Sequence, residues 1–266
     1  MAAHRFVLCD VFAQRPLEGN ALCVFTDARN LDDDRMQRLA RETNLSETSF
    51  VLPPRDGGTF RVRIFTPSRE LPFAGHPLIG TAAVLGRAVP VEGMMLETQV
   101  GNLAVALERD DMTVTGAVLE QPPPSFADHP AAAAVRAALG LDAGPVAIGD
   151  NGLRVGLVDA GSEQRLAELA PDQSALSAIE GLDVLSVYAD GDPVRVRVFC
   201  PWAGIAEDPG TGAAAGPLGV HLGRSVTILQ GVEIGRPSTI RVELADPGPR
   251  VSGSVVLVGR GFYELP

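Results

Sequence analysis

The chain has 266 residues, 45% apolar and 21% charged, the figures of a folded soluble protein with one large domain or two of roughly 130 residues. Its net charge of −11 argues against nucleic acid and against an anionic membrane surface, both of which need a basic face. No apolar run approaches the ~20 residues of a membrane span. An acidic substrate would therefore have to be captured by local donors against the overall field. Cys9, Cys23 and Cys200 form no C-x-x-C pair and read as reduced thiols of a cytoplasmic protein, and the N-terminus enters a strand pattern with no signal peptide.

Phe6 to Phe12 is a strand interrupted by Asp10, Arg15 to Asn20 is a turn, and Ala21 to Phe25 is the next strand. Leu31 to Glu42 is a helix: Asp32 to Asp34 suit its positive end, and Met36, Leu39 and Ala40 make its apolar stripe. Phe50 to Leu52 and Phe60 to Phe65 are strands, the second alternating Arg61 and Arg63 outward with Val62 and Ile64 inward. Pro77 to Leu85 carries no charge on any face, which predicts a helix surrounded by protein, such as one wrapped by a sheet. Leu96 to Leu107 and Met112 to Leu119 are expected to be single strands.

Gln121-Pro122-Pro123-Pro124-Ser125 is a stiff connector and the best domain boundary. Beyond it, Asp128-His129-Pro130 starts a helix through Ala138. Val155–Val158, Leu182–Tyr188, Val194–Phe199, Ile240–Leu244 and Val251–Val258 supply a second set of strands. Thr211 to Leu222 is the second apolar helix. Pro217 lies inside it, at a cost of ~3 kcal/mol or a kink, so that helix is expected to be bent or to start late.

The two halves share a text. Arg61-Val62-Arg63-Ile64-Phe65-Thr66-Pro67 returns 134 residues later as Arg195-Val196-Arg197-Val198-Phe199-Cys200-Pro201. A period that long indicates a duplicated domain rather than a short-repeat solenoid. Duplicated domains commonly leave a cleft that takes small ligands.

Three places carry candidate chemistry. Asn44-Leu45-Ser46-Glu47-Thr48-Ser49 crowds an acid among hydroxyls before a buried strand. Gly75-His76-Pro77 opens the first apolar helix, where backbone N–H groups favour an anion and Gly75 allows close approach. Glu207-Asp208-Pro209-Gly210-Thr211-Gly212 opens the second. Each alone has a plainer explanation: an exposed loop glutamate, a histidine capping its helix, a pair of capping acids. The duplication favours chemistry. Halves related by a pseudo-twofold axis would deliver His76 and Asp208 to one cleft. There Glu47, His76 and Asp208 make a proton-transfer set of base, relay and orienting charge. No P-loop, dinucleotide fingerprint, metal-ligand spacing or G-x-S-x-G elbow is present, so no nucleotide cofactor, no metal and no serine hydrolase is expected.

Five short pieces occur in order. They are Asp10-Val11-Phe12 with Gly19-Asn20, Ser46-Glu47-Thr48, Gly75-His76-Pro77, Glu207-Asp208-Pro209 with Thr211-Gly212, and Gln230-Gly231 with Gly235-Arg236-Pro237-Ser238. Together they resemble the phenazine-biosynthesis (PhzF-like) isomerase family over nearly the full length. The resemblance implies an α+β, duplicated two-domain, diaminopimelate-epimerase-like fold, each domain a β-barrel-like sheet around a central helix. The expected halves are 1–119 and 126–258, with 259–266 returning to the first. It also implies a homodimer and a cofactor-free proton transfer on a small-molecule carboxylate, as in isomerisation of trans-2,3-dihydro-3-hydroxyanthranilate. On that pattern Glu47 takes and returns the proton and His76 and Asp208 support it. Asn20, Ser46, Gly75, Gly210, Thr211, Gly212 and Ala213 lie on the substrate. The family commonly has serine where this chain has Ala213, which removes a hydroxyl that could bind substrate or assist the relay. Two rival functions remain: an epimerase or racemase on the same fold, which in related families uses two cysteines, and a non-catalytic protein that binds an acidic metabolite.

Overall fold

The charge-free segment after Ala74 becomes a helix whose every residue is buried, and eight strands of the same unit close around it. The computed structural model describes residues 2–265. In chain order the first part forms β1 (Ala2–Val11), β2 (Asn20–Phe25), α1 (Asp33–Thr43), β3 (Glu47–Leu52), β4 (Phe60–Phe65), β5 (Glu70–Leu71), α2 (Gly75–Gly86), β6 (Gly93–Thr98), β7 (Gly101–Asp110) and β8 (Thr113–Glu120). β1 pairs antiparallel with β2, β2 parallel with β3, β3 antiparallel with β4, and β4 parallel with β6. β6, β7 and β8 continue antiparallel, and the C-terminal strand (Arg250–Leu265) pairs with both β8 and β1. The ring therefore has no free edge in this unit.

Inside it α2 touches β1, β2, β3, β6, β7 and β8. Glycine permits the closest of these contacts: a Cβ on Gly80 would meet Leu22 Cδ2 at 2.6 Å and Val11 Cγ2 at 2.7 Å. Outside the ring, α1 is capped by the Asp32 carboxylate on the Arg35 N–H. Its Met36, Leu39 and Ala40 face Phe25 and Phe50, whose rings stack at 4.9 Å.

The chain then forms β9 (Ser125–Asp128), α3 (Ala132–Ala138), β10 (Ala147–Asp150), β11 (Arg154–Asp159), α4 (Glu163–Ala167), α5 (Gln173–Ser177), β12 (Val184–Ala189), β13 (Val194–Cys200), β14 (Ile205–Asp208), α6 (Gly212–His221), β15 (Val226–Gln230) and β16 (Ser238–Glu243). Its pairings repeat those of the first part in order. β10–β11 is antiparallel, β11–β12 parallel, β12–β13 and β13–β14 antiparallel, β13–β15 parallel and β15–β16 antiparallel. α6 falls between β14 and β15, as α2 falls between β5 and β6, and touches β10, β11 and β16.

The repeated text has a structural meaning. Arg63 on β4 grips Glu70 on β5 through two hydrogen bonds of 2.7 Å, and Arg197 on β13 grips Glu207 on β14 through bonds of 3.0 and 2.7 Å. Each guanidinium also lies over the phenylalanine two residues on, at 5.1 Å from Phe65 and 5.2 Å from Phe199. These arginines leave the inward face of their strands to Val62 and Ile64, or Val196 and Val198, but they are engaged rather than solvated. Arg197 further donates to the carbonyls of Leu166 and Leu169 at the end of α4.

Several expectations need correction. One compact unit runs through Glu120 and resumes from Ser252, and the other is Gln121–Val251. One unbroken strand, Arg250–Leu265, carries the chain from one unit into the other, and no local sequence signal marks the change. Leu96 to Leu107 is two strands, β6 and β7, turning at Gln99-Val100. The turn is hidden by the apolar Val100 and revealed by Gly101, whose φ is +117°. α3 starts at Ala132, later than the His129-Pro130 signal, since the His129 ring accepts the Ala131 N–H instead.

α6 starts at Gly212 and runs unbroken past Pro217. Pro217 cannot donate to the Ala213 carbonyl four residues back, and the Asn151 side-chain amide takes that carbonyl at 3.0 Å. Gln121 binds the neighbouring Gly212 carbonyl at 2.8 Å.

Candidate active site

In the first unit the site begins with a loop. The Asp10 carboxylate accepts the Leu17 N–H at 2.7 Å, and Phe12 and Leu17 both sit at positive φ. Gly19 has φ +66°, and a Cβ there would lie 2.3 Å from the Val11 carbonyl oxygen. This closed, strained loop delivers Asn20 as the first residue of β2. Glu47 is the first residue of β3, and the parallel register places it against Leu22. The starts of β2 and β3 thus lie at one end of the ring, where α2 also begins.

α2 opens with Gly75 and His76, and its N-cap Ala74 has no side chain to satisfy the first N–H groups. His76 Nε2 lies 3.4 Å from Glu47 Oε2 without a hydrogen bond of ordinary geometry. His76 Nδ1 lies 3.2 Å from Asn20 Nδ2, and the Ser46 hydroxyl donates to Asn20 Oδ1 at 2.9 Å. Asn20, Glu47 and His76 are all buried. Desolvation pushes the His76 pKa down to about 3. The imidazole is therefore neutral at physiological pH, and its contact with Glu47 is that of a dipole beside a carboxyl group, not an ion pair. The first unit thus brings Asn20, Ser46, Gly75, Glu47 and His76 together.

In the second unit Asp208 ends β14 and is buried. Thr211, the N-cap of α6, donates its hydroxyl to Asp208 Oδ2. Gln230, the last residue of β15, locks both: its Nε2 donates to the Asp208 carbonyl at 2.7 Å and to Thr211 Oγ1 at 2.9 Å, while its Oε1 accepts the Thr211 N–H at 3.0 Å. With Gln230 donating to its oxygen, the Thr211 hydroxyl hydrogen is directed at Asp208. Gly231, at φ +74°, lets this turn close, since a Cβ there would lie 2.5 Å from the Pro209 carbonyl oxygen. Gly210, Gly212 and Ala213 lie buried beside this cluster at the start of α6.

Gln230 is the residue whose role the sequence does not announce. It lies in the Gln230-Gly231 piece quoted above, but its partners are 19 and 22 residues away. Glu207, for which helix capping was the plainer of two readings, is the partner of Arg197.

Cys9, Cys23 and Cys200 are buried and none is in a disulfide. Burial pushes the Cys23 thiol up to about 12 and raises Cys9 as well, so neither is a thiolate at neutral pH. Among the described residues, no group of three or more His, Cys, Asp or Glu side chains gathers as a metal would require. No helix among them is long and apolar enough to cross a membrane.

The family model described as "Phenazine biosynthesis-like protein" matches residues 9–262. Trans-2,3-dihydro-3-hydroxyanthranilate isomerase of Pseudomonas aeruginosa is 44% identical, over 97% of this chain and 96% of its own. The protein of the same name from Pseudomonas chlororaphis is 45% identical, over 98% of this chain and 100% of its own. Among solved structures, one from Pseudomonas aeruginosa described as a predicted epimerase superposes with a TM-score of 0.86 at 32% identity, covering 99% of this chain and 100% of that one.

Proposed function

The chain belongs to the phenazine-biosynthesis-like family and is an isomerase, and from that premise we propose that it moves a proton between carbons of a small unsaturated amino or carboxylic acid, with Glu47 as the general acid/base. The observation that carries this proposal is the buried Glu47 carboxyl held 3.4 Å from a neutral imidazole. A carboxylate in that setting can take a proton from one carbon, keep it from bulk water, and return it to another. The reaction leaves the oxidation state of the substrate unchanged, so acid/base side chains suffice for it. His76, neutral, sets its ring dipole beside the Glu47 carboxyl group. Asp208, oriented by Thr211, supplies a fixed negative charge suited to a substrate ammonium or hydroxyl group. The substrate contacts are assigned to Asn20, Ser46, Gly75, Gly210, Thr211, Gly212 and Ala213.

The substrate class follows the names of the relatives: a cyclic dienyl amino acid of the dihydro-hydroxyanthranilate type leads the list, with other unsaturated acids of secondary metabolism behind it. A homodimeric assembly and a cytoplasmic location belong to the same proposal; cysteines outside any disulfide suit the latter. The test is turnover of trans-2,3-dihydro-3-hydroxyanthranilate and a panel of β,γ-unsaturated amino acids, followed by proton NMR. A shifted double bond with wild type and none with Glu47→Gln supports the proposal. Equal turnover by both removes Glu47 from the mechanism.

A further inference from the structure

Ser46, Asn20, His76 and Glu47 form a line of contacts whose polarities are coupled. The Ser46 hydroxyl donates to Asn20 Oδ1 at 2.9 Å. The amide lies with its NH2 toward His76 Nδ1, 3.2 Å away; since the hydroxyl could accept as readily as donate, it is the Glu47 side of the ring that fixes this sense. A ring nitrogen facing an NH2 group must be the acceptor, so in a neutral imidazole the hydrogen belongs to the other nitrogen. That nitrogen, Nε2, faces Glu47 Oε2 at 3.4 Å. Reversing the amide would put a hydrogen on Nδ1 and leave the Nε2 lone pair facing a carboxylate oxygen, which is repulsive whenever Glu47 is ionised.

We infer that Asn20, in contact with Ser46, is a positioning residue that selects the Nε2–H tautomer of His76 and so keeps the ring hydrogen on the side of the Glu47 carboxylate. This deepens the proposed function and rests on Glu47 being the proton carrier. Asn20 acts through the ring: it decides which nitrogen can donate, and the wrong tautomer removes the donor while leaving the geometry in place. Burial of the ring favours its neutral form, in which the two nitrogens differ. The Asn20 amide thereby has a role beyond the substrate contact expected of it.

The test reads the tautomer directly and needs no turnover. Nitrogen-15 NMR of the uniformly labelled, folded protein distinguishes protonated from unprotonated ring nitrogens. With only four histidines in the chain, His76 is assigned by comparison with His76→Gln. Wild type is expected to carry the hydrogen on Nε2. Asn20→Asp, whose ionised side chain can only accept, is expected to move it to Nδ1 and to lower kcat by on the order of 10²-fold with a smaller change in KM. Ser46→Ala releases the amide and should give a mixture of tautomers, which Ser46→Thr, keeping the hydroxyl, restores to Nε2–H. A wild-type ring protonated on Nδ1 overturns the inference, and so does an Asn20→Asp or Ser46→Ala protein that keeps a pure Nε2–H ring. If Asn20→Asp fails to fold, the wild-type spectrum and the Ser46 pair still decide. An Nε2–H ring in wild type together with a fully active Glu47→Gln enzyme would instead sink the catalytic proposal and leave the tautomer assignment standing.

Discussion

His76 presents one ring nitrogen to Glu47 at 3.4 Å and the other to Asn20 at 3.2 Å, and it does so from the first turn of a helix buried on every face. The helix cannot rotate without exposing or clashing its apolar surface, so the ring is as fixed as the barrel around it. Glu47, in its proposed role as proton carrier, gains from such a neighbour because the geometry is set before substrate arrives.

The burial of His76 makes acid stability its signature. In the unfolded chain a histidine titrates near 6.5, while in the fold His76 is held at about 3. Between these values the unfolded state binds the extra proton, so stability falls as pH drops from about 6.5 to about 3, and the loss is complete below that. Thermal melts of wild type and His76→Gln across this window should converge as pH falls. Melting curves that shift in parallel would contradict the assignment.

Asn151 should matter only because of Pro217. Asn151→Ala strips the Ala213 carbonyl of its partner and is expected to cost about 1–3 kcal/mol in denaturant unfolding. Pro217→Ala supplies a backbone N–H for the same carbonyl, so in that background the Asn151→Ala penalty should shrink. A double-mutant cycle with no coupling would show that the amide does not compensate for the proline.

The two Arg–Glu clamps should differ in strength. Arg197 and Glu207 have side chains only 9% and 10% exposed, against 14% and 23% for Arg63 and Glu70. Glu207→Ala leaves a buried guanidinium uncompensated and is expected to cost about 3–5 kcal/mol. Glu70→Ala should cost less, because Arg63 keeps Asp33 and more water. Chemical denaturation of the two variants checks the order.

Gln230 should affect rate more than fold. Gln230→Leu releases Thr211 and with it the hydroxyl that orients Asp208, so kcat should fall about ten- to hundredfold. A wild-type rate in a folded variant would show that the clamp is only structural. Asp208→Asn, tested beside it, should lose at least as much.

What could be read without coordinates follows from how local each signal is. α2 was legible because Pro77 to Leu85 carries no charge on any face, and β4 because Arg61, Val62, Arg63 and Ile64 alternate cleanly. The duplication was legible as text, but the text did not say that Arg63 and Arg197 hold Glu70 and Glu207. β10, β14 and β15 have only four or five residues each, too few for a period to show. Asn151 and Gln230 were opaque for another reason: each satisfies backbone or hydroxyl groups far along the chain, and glutamine or asparagine near a strand end carries no mark of its distant partner. Glu47, His76 and Asp208 stood out because they are charged or titratable beside glycine-rich or hydroxyl-rich starts of buried elements.

The most direct measurement is isomerisation in D2O, with trans-2,3-dihydro-3-hydroxyanthranilate and the unsaturated-acid panel, comparing wild type with Glu47→Gln by NMR. A group that takes and returns a proton should shift the double bond and place label at the carbon that receives it. The loss in Glu47→Gln should be on the order of 10²- to 10⁴-fold, with the fold intact by its melting temperature. Label appearing at the same rate in the variant would contradict the claim that Glu47 carries the proton.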